Sequence, residues 1–233
     1  MNGINNPESP IVDAVQTRIA AVAFDMDGTM FDTEAVYDKA ASILLGRRGC
    51  QYTDELRVEI MGRPPEYCFR RMIEVNSLTE SWRELARESE EIFLEQLKGG
   101  YSTTPGLLEL FDELDRLRLP RCVCTSSKKV VAKEVLTKHG VDKRLDFVLT
   151  SEDVVNGKPN PEIYLKAAER FGVAPESTLV LEDSASGCAS AFAARCPCCA
   201  LRAYHNAHVD FSPARLVVER LDDPELFALL RGY

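Results

Sequence analysis

An apolar run that ends in two carboxylates constrains the fold of this chain more than any other feature of its sequence. Residues 19–24 are entirely apolar, and they lead directly into Asp25 and Asp27, followed by Gly28 and Thr29. Such a run predicts a buried parallel strand, and open α/β sheets bind ligands at the carboxyl ends of their strands. Two close carboxylates repel each other unless a divalent cation binds or one takes a proton. The alternative is a strand followed by an ordinary acidic Asp-Gly turn.

Predicted strands and helices alternate through the second half of the chain. Strand-like runs occur at residues 121–125, 146–149, 178–182, 198–201 and 215–218. Helical segments, with apolar residues three and four positions apart, occur at residues 106–117, 128–139, 160–171 and 185–194. This alternation predicts βαβ units, and therefore an α/β fold with a doubly wound parallel sheet.

The region between the first strand and this alternating part contains only helical patterns. They cover residues 34–46, 53–61, 65–75 and 80–97, and glycines and prolines separate several of them. A purely helical stretch at this place predicts an insertion into the α/β fold. We therefore predict a core domain of residues 1–32 and 101–233 and an inserted helical domain of residues 33–100.

The charge of the chain limits its partners. It has 28 basic and 37 acidic side chains, a formal charge of −9, which argues against nucleic acid or an anionic membrane surface as a partner. No apolar run approaches the length of a membrane span. The first ten residues also lack the basic residues and the apolar run of a secretory signal. We therefore expect a cytoplasmic protein that is a monomer or a weak dimer.

The chain has eight cysteines, and those of the cluster around Pro197 are predicted to be small buried hydrophobic side chains. A disulfide framework would be typical of a much shorter secreted protein. Cys196, Cys198 and Cys199 do not have the spacing of a usual zinc site, even with His205 and His208 nearby. A strand would also direct Cys198 and Cys199 to opposite faces of the sheet. We assign no catalytic role to any of the three histidines.

Three further segments form an ordered set with the first motif. They are CVCTSS at residues 122–127, GKPNP at residues 157–161 and LVLEDS at residues 179–184. Together with residues 25–29 they resemble the four motifs of the haloacid dehalogenase (HAD) superfamily of phosphotransferases, in the same order and at the usual distances. The resemblance covers nearly the whole chain. It implies a Rossmann-like HAD core, with the helical insertion as a cap domain.

The resemblance assigns the chemistry of the first motif. It implies that Asp25 is the nucleophile, which attacks phosphorus to form an aspartyl-phosphate. Asp27 would protonate the leaving alcohol and then deprotonate the attacking water, so its pKa must be raised. Thr29 would orient Asp27, and Gly28 would let backbone N–H groups approach the substrate.

The second and third motifs would hold the phosphoryl group. The hydroxyl of Thr125 and the N–H of Ser126 are implied to bind its oxygens, although a serine there is also a good helix N-cap. Lys158 is implied to neutralise both the phosphoryl group and Asp25 as charge shifts between them. An isolated lysine in a loop would otherwise be a solvated side chain.

The cofactor implied by the resemblance is Mg²⁺. Asp25 and Asp183 would bind it through their side chains, and Asp27 through its backbone carbonyl. Glu182 would bind it directly or through a water molecule. The alternative for this acidic pair is stabilisation of the dipole of the helix that follows it.

The cap implies a class of substrates. HAD proteins with a small helical cap include phosphoglycolate, sugar-phosphate and nucleoside-phosphate phosphatases and also β-phosphoglucomutases. We therefore expect a small phosphorylated metabolite, bound under a cap that excludes water. Arg63 lies in a loop that often faces the substrate in these relatives, and the alternative is a solvated arginine at a helix break.

One position separates two enzymatic interpretations. The mutases carry a histidine where this chain has Tyr37, a candidate substrate-binding residue. We therefore predict a Mg²⁺-dependent phosphatase, with a β-phosphoglucomutase-like phosphohexomutase as the alternative.

A catalytically dead HAD scaffold would more often lack Asp25 or Asp27. A two-component receiver domain also uses Asp, Thr, Lys and Mg²⁺, but it is shorter and lacks the helical insertion.

Overall fold

The computed structural model describes residues 18–232, which form eight strands and nine α-helices. The strands are β1 (Ala21–Phe24), β2 (Phe31–Asp32), β3 (Ser102–Thr103), β4 (Arg121–Cys124), β5 (Phe147–Leu149), β6 (Thr178–Glu182), β7 (Cys198–Leu201) and β8 (Leu216–Val218). The helices are α1 (Glu34–Gly46), α2 (Asp54–Ile60), α3 (Pro65–Asn76), α4 (Trp82–Leu97), α5 (Leu107–Leu117), α6 (Lys129–Lys138), α7 (Glu162–Phe171), α8 (Ala185–Ala193) and α9 (Pro224–Arg231).

Six of the strands form one parallel sheet. Its order is β5-β4-β1-β6-β7-β8, and every neighbouring pair runs parallel. The chain adds β4 and β5 on one side of β1 and then returns to add β6, β7 and β8 on the other side. The predicted doubly wound α/β fold is therefore confirmed.

Alternate side chains of β1 enter the two halves of the core. Val22 and Phe24 pack into the half that also contains buried side chains of α5, α6 and α9. Ala23 packs into the other half, with residues of α7 and α8. The rings of Phe24 and Phe111 meet edge to face, with centroids 5.4 Å apart. Because both faces of β1 are covered, its sequence is a continuous apolar run instead of an alternating pattern.

Helices α1–α4 form the insertion between β2 and β3. These two short strands pair antiparallel, so the chain enters and leaves the helical insertion side by side. Helix α4 packs against α1, α3 and α6. A capping box of Ser81 and Glu84 fixes its start. The division into two domains stays a prediction, and residues 1–17 of the predicted core domain lie outside the described residues.

The predicted elements match the structure to within a few residues, with three exceptions. Strands β2 and β3 have two residues each, too few for a hydrophobic period to be recognised. Helix α9 was also missed, although Asp223 caps its start and Pro224 occupies its first turn. That combination is a recognised start signal for a helix.

The cysteine cluster lies in the core. Cys198 and Cys199 are buried in opposite halves of the core, as predicted from the strand period. Cys196 is buried in the same half of the core as Cys198. In the part of the chain from residue 18 to residue 232, no helix has both the length and the apolar character needed to cross a membrane.

Candidate active site

Three strand ends meet at one edge of the sheet. Because β1 lies between β4 and β6, the residues that follow these strands, Asp25, Thr125 and Asp183, come together. The winding of the chain changes direction at β1, which makes this edge the topological switch point of the sheet. The site is therefore where an α/β fold of this kind binds its ligand.

Lys158 connects two of the site's carboxylates. Its Nζ lies 2.5 Å from Asp25 Oδ1 and 2.6 Å from Glu182 Oε1, and it donates to the carbonyl oxygen of Cys124 at 2.9 Å. These three acceptors use all the N–H donors of the ammonium group. Lys158 is only 9% exposed and Asp25 only 8%. Lys158 is thus a buried, fully hydrogen-bonded cation and not a solvated loop lysine.

Both carboxylate oxygens of Glu182 accept hydrogen bonds from the protein. Besides Lys158, Oε1 accepts from the hydroxyl of Tyr164 at 2.7 Å. Oε2 accepts from the backbone N–H groups of Asp183 and Ser184 and from the Ser184 hydroxyl. Glu182 is completely buried. It therefore anchors Lys158 and the first turn of α8.

Burial and charge shift the pKa values of this group. Burial raises the pKa of Asp25 well above its usual range, against the opposing charge of Lys158. Burial by itself lowers the pKa of Lys158, but the carboxylates of Asp25 and Glu182 outweigh it and raise that pKa above its usual value. Lys158 therefore remains protonated at neutral pH, whereas a bound divalent cation would favour the ionised form of Asp25.

Asp27 lies in a hydrogen-bond network of its own. Thr33 donates to its Oδ1 at 2.8 Å and Ser127 donates to its Oδ2 at 2.9 Å. The Tyr37 hydroxyl lies 3.3 Å from Ser127 Oγ. The Tyr37 ring stacks on the Phe93 ring, with the ring centroids 4.1 Å apart. Burial raises the pKa of Asp27 although both hydrogen bonds oppose the shift. The raised pKa is what an acid that donates a proton near neutral pH requires.

Gly28 and Thr29 both face Asp183. Gly28 has a φ of +79°, and a Cβ at this position would overlap the Asp183 carboxylate, so only glycine fits. The Thr29 hydroxyl donates to Asp183 Oδ1 at 3.2 Å. The prediction that Thr29 orients Asp27 was therefore wrong: Thr33 and Ser127 do so, because the Gly28 turn directs Thr29 toward β6.

The second motif places one hydroxyl in the site. Thr125 is buried, and its Oγ accepts from the backbone N–H of Ser127 at 3.0 Å. Its own proton has no acceptor within residues 18–232 and can be donated to a ligand. Ser126 is exposed. The N-cap of α6 is Lys128, whose own side chain makes no capping bond, and the carboxylate of Glu152 accepts from the first helical N–H, that of Lys129, at 3.0 Å. The alternative interpretation of this motif as a helix cap is thus not what the structure shows.

Arg63 is not in contact with the buried carboxylates. Its exposed guanidinium lies 5.6 Å from the centre of the Tyr67 ring. The neighbouring Gly62 carbonyl accepts from Ser186, in the first turn of α8, at 3.5 Å. The loop that carries Arg63 therefore lies close to the helix that follows Asp183, and a substrate contact of Arg63 stays a prediction.

His205 and Asn206 are among the residues of the site that the sequence analysis missed, as are Thr33, Tyr164 and Glu34. His205 Nε2 lies 2.8 Å from Asp183 Oδ2. The Asn206 amide donates to the backbone carbonyls of Asp183 and Leu201, both at 2.8 Å. His205 and Asn206 follow β7, at the same edge as the other motifs, so the strand-end argument applied to β1, β4 and β6 would also have indicated them.

Glu34 is a further carboxyl group of the site. It begins α1, directly after Thr33, and its carboxylate accepts no hydrogen bond from the described residues. Burial, followed by the charge of Asp183, raises its pKa to about 7. The folded protein therefore binds a proton at Glu34 between roughly pH 4.5 and pH 7 that the unfolded chain releases.

Because only the folded protein holds this proton on Glu34, the free energy of unfolding of metal-free protein should fall as pH rises from 5 to 7.5. Glu34→Gln should remove about 1–3 kcal/mol of that fall, measured by urea unfolding at both pH values in the presence of a chelator. Glu219→Gln, at an exposed position, serves as the control. An unchanged pH dependence in Glu34→Gln would show that Glu34 does not titrate in this range.

The carboxylates fit a divalent cation. Ligand oxygens of Asp25, Glu182 and Asp183 lie within 4.8 Å of one another, and this is the only such group of three found among residues 18–232. A set of carboxylate oxygens is the donor type that Mg²⁺ and Ca²⁺ prefer. Glu182 accepts two hydrogen bonds at Oε1 and three at Oε2, which leaves none of its lone pairs free. Asp183 accepts one at each oxygen and Asp25 one at Oδ1, so Asp25 and Asp183 are the better direct ligands.

The chain belongs to the haloacid dehalogenase-like hydrolases, whose family model matches residues 22–201. A phosphorylated carbohydrates phosphatase of Thermotoga maritima is 35% identical over 171 residues, which are 72% of this chain and 77% of that protein. Fructose-1-phosphate phosphatase YqaB of Escherichia coli is 33% identical over 177 residues, 76% of this chain and 93% of that protein. The predicted family and the predicted enzyme class, a phosphatase of the HAD type, are confirmed.

Solved structures show the same fold. A HAD hydrolase of family IA, variant 3, from Entamoeba histolytica has a TM-score of 0.81 at 22% identity, covering 92% of this chain and 100% of that one. A β-phosphoglucomutase from Clostridium difficile has a TM-score of 0.74 at 22% identity, covering 88% and 92%. At these identities the likeness concerns the fold alone, so it does not favour the mutase.

Proposed function

We propose that this protein is a Mg²⁺-dependent phosphatase that hydrolyses a small phosphorylated metabolite of the sugar or polyol type through an aspartyl-phosphate on Asp25. The observation that carries the proposal is the contact of Asp25 with a buried Lys158, 2.5 Å away, at the switch point of the sheet. A carboxylate beside a fixed cation can approach an anionic phosphate ester, which an isolated carboxylate would repel.

In the first step, a carboxylate oxygen of Asp25 attacks phosphorus and the bond from phosphorus to the ester oxygen breaks. Lys158 stays protonated and balances the charge that collects on the phosphoryl oxygens. The Thr125 hydroxyl, buried and with its proton free, donates to one of these oxygens. Asp27, whose pKa burial raises, gives its proton to the departing alcohol.

In the second step, Asp27 acts as the base. Now ionised, it takes a proton from a water molecule that attacks phosphorus, and the bond to Asp25 breaks to release inorganic phosphate. Thr33 and Ser127 hold both oxygens of Asp27, so the carboxylate keeps one orientation through both steps.

Asp25 and Asp183 would hold the Mg²⁺ ion, with the backbone carbonyl of Asp27 as a further ligand. When bound, the ion supplies positive charge that neutralises the phosphoryl group and keeps Asp25 ionised. We propose that Glu182 acts on the ion indirectly, through Lys158 and the start of α8, because five protein donors fill the acceptor positions of its two oxygens, whereas each Asp183 oxygen accepts only one.

The substrate class follows from the relatives and from the helical insertion. The names of the Thermotoga maritima and Escherichia coli relatives give phosphorylated carbohydrates and fructose 1-phosphate as their substrates. We propose that α1–α4 form a cap over the site, since Tyr37 of α1 reaches Ser127 beside Asp27. A cap in this position can contact the alcohol part of the substrate and exclude water before phosphoryl transfer.

The second candidate function is a phosphohexomutase. In the mutases the position of Tyr37 carries a histidine, which can take up and return a proton. Burial raises the pKa of Tyr37 well above its usual value, so the phenol stays neutral and cannot act as a base at neutral pH. This observation favours hydrolysis.

A panel of phosphate monoesters tests the proposal. It should contain sugar 1-phosphates, sugar 6-phosphates, a polyol phosphate, 2-phosphoglycolate and a nucleoside monophosphate, each with Mg²⁺, with released phosphate as the readout. We expect turnover of at least one sugar or polyol phosphate. Release from the nucleotide or phosphoglycolate alone would contradict the substrate class, and no release at all would contradict the proposed activity.

The metal dependence gives a separate prediction. A chelator should stop phosphate release and Mg²⁺ should restore it, whereas Ca²⁺ should inhibit, because Ca²⁺ prefers more ligands at longer distances and would misplace Asp25. The measurement is phosphate release from the best substrate of the panel at increasing concentrations of each ion. Full activity with Ca²⁺ alone, or after complete chelation, would contradict this role of Asp25 and Asp183.

A further inference from the structure

His205 and Asp183 form a buried pair beside the carboxylates. Nε2 of His205 lies 2.8 Å from Oδ2 of Asp183, and the two residues are 9% and 5% exposed. A bare Nε2 would repel the carboxylate at this distance, so the proton sits on Nε2, which donates to Asp183. His205 takes part in neither of the two proposed steps of phosphate ester hydrolysis.

His205 does not belong to the group that would bind the cation. The group whose ligand atoms lie within 4.8 Å of one another contains, within residues 18–232, only Asp25, Glu182 and Asp183. His205 contacts Asp183 but does not lie within 4.8 Å of the ligand atoms of all three carboxylates. It therefore supports Asp183 from outside the cation site.

The loop that carries His205 is fixed independently of that contact. The side chain of Asn206 bonds to Asp183 O and Leu201 O, and its Oδ1 accepts from the N–H of Ala203 at 2.8 Å. Nδ1 of His205 is buried and has no hydrogen-bond partner among the described residues. A buried unpaired nitrogen costs stability, and side chains that carry such a cost are expected at functional positions.

We propose that His205 is a positioning residue that holds the Asp183 carboxylate ready for a divalent cation and thereby strengthens the binding of that cation. The inference rests on the proposed function, which supplies the cation. With Thr29 on Oδ1 and His205 on Oδ2, the carboxylate is ordered before the ion arrives. Binding then does not have to order it, and donors of this kind increase metal affinity.

The test is calorimetric titration of MgCl₂ alone into metal-free protein. His205→Phe keeps the ring and removes the donor, and it should raise the dissociation constant for Mg²⁺ about tenfold to a hundredfold. His205→Gln places an amide N–H at a similar distance and should restore most of the affinity. His205→Asn is too short to reach Asp183 and should bind as weakly as the Phe variant. His208→Gln, at an exposed position in the same loop, should bind Mg²⁺ like the wild type.

Two outcomes would overturn the proposal: wild-type Mg²⁺ affinity in His205→Phe, or equal weakening in the Gln and Asn variants. The second would show that the ring shape matters and not the donor. The comparison of Gln with Asn also decides the question if the Phe variant does not fold. Phosphate release by the same preparations separates this inference from the proposed function. An active wild type with an unaffected Phe variant would contradict only the role of His205, whereas inactivity toward the whole panel would contradict the phosphatase.

Discussion

Asp25→Asn should abolish turnover and leave the fold intact. The amide of asparagine cannot attack phosphorus, so the covalent step is lost, and we expect activity to fall by at least about a thousandfold. Asparagine has the shape of aspartate, and its Oδ1 can still accept from Lys158, which lies 2.5 Å from Asp25 Oδ1. The measurement is phosphate release by the purified variant, with circular dichroism and urea unfolding to verify the fold.

A matched control makes this result specific to the site. Asp210→Asn makes the same chemical change in an exposed loop and should keep full activity. Activity above a few percent of wild type in Asp25→Asn, after contamination by wild-type protein is excluded, would show that Asp25 is not the nucleophile.

Lys158→Met should both inactivate and destabilise the protein. The substitution leaves the carboxylates of Asp25 and Glu182 buried without their cation, and the Cys124 carbonyl loses a donor. Removal of one partner from a buried ion pair costs about 3–5 kcal/mol. We therefore expect a loss of this size in the free energy of unfolding at pH 7.5, together with loss of phosphate release.

The stability deficit of Lys158→Met should also depend on pH. Without Lys158 the carboxylates of the folded variant hold protons to a higher pH than in the wild type, so the variant is least disadvantaged in acid. Urea unfolding at pH 5 and pH 7.5 should show a smaller deficit at pH 5. Lys133→Met, on an exposed face of α6, should be nearly neutral at both. A deficit that is small or independent of pH would contradict a charged Lys158 as the centre of the site.

The core of the site could be predicted because its residues lie at strand ends. The strands β1, β4 and β6 are buried and contain short apolar runs at residues 21–24, 122–124 and 179–181, and polar residues of the site follow each run. Asp25 and Thr125 directly follow two of these runs and Asp183 follows the third after one intervening residue, so the pattern places them at one edge of the sheet, while the resemblance to the HAD motifs gave their roles. Lys158 lies in a loop, and only its similarity to the third family motif identified it.

Hydrogen-bond partners within the site could not be predicted in the same way. Thr29 and Thr33 are both threonines close to Asp27 in sequence, and only the turn at Gly28 decides that Thr33 reaches Asp27 while Thr29 reaches Asp183. The contact between Tyr37 and Ser127 joins the insertion to the core across a long sequence distance. Such contacts depend on the packing of α1 against the core, which no local pattern reports.

The role of His205 was not predicted for a different reason. The polar loop after β7 has no apolar period and no motif, so its histidines were assigned no role. The position of this loop at the carboxyl edge of the sheet was nevertheless predictable from the strand at residues 198–201. A polar residue after any strand of a doubly wound sheet deserves the same consideration as one in a recognised motif.

The phosphatase and mutase interpretations differ in the fate of the aspartyl-phosphate, and one paired measurement decides between them. β-Glucose 1-phosphate is supplied with Mg²⁺ and a glucose bisphosphate primer, and inorganic phosphate and glucose 6-phosphate are followed in the same sample. Because Tyr37 stands where the mutases carry a base, water should accept the phosphoryl group, and phosphate release should exceed isomerisation for this and for other sugar phosphates. Isomerisation that outruns phosphate release by about tenfold, a difference of about 1.4 kcal/mol between the two barriers, would contradict the phosphatase and establish the mutase.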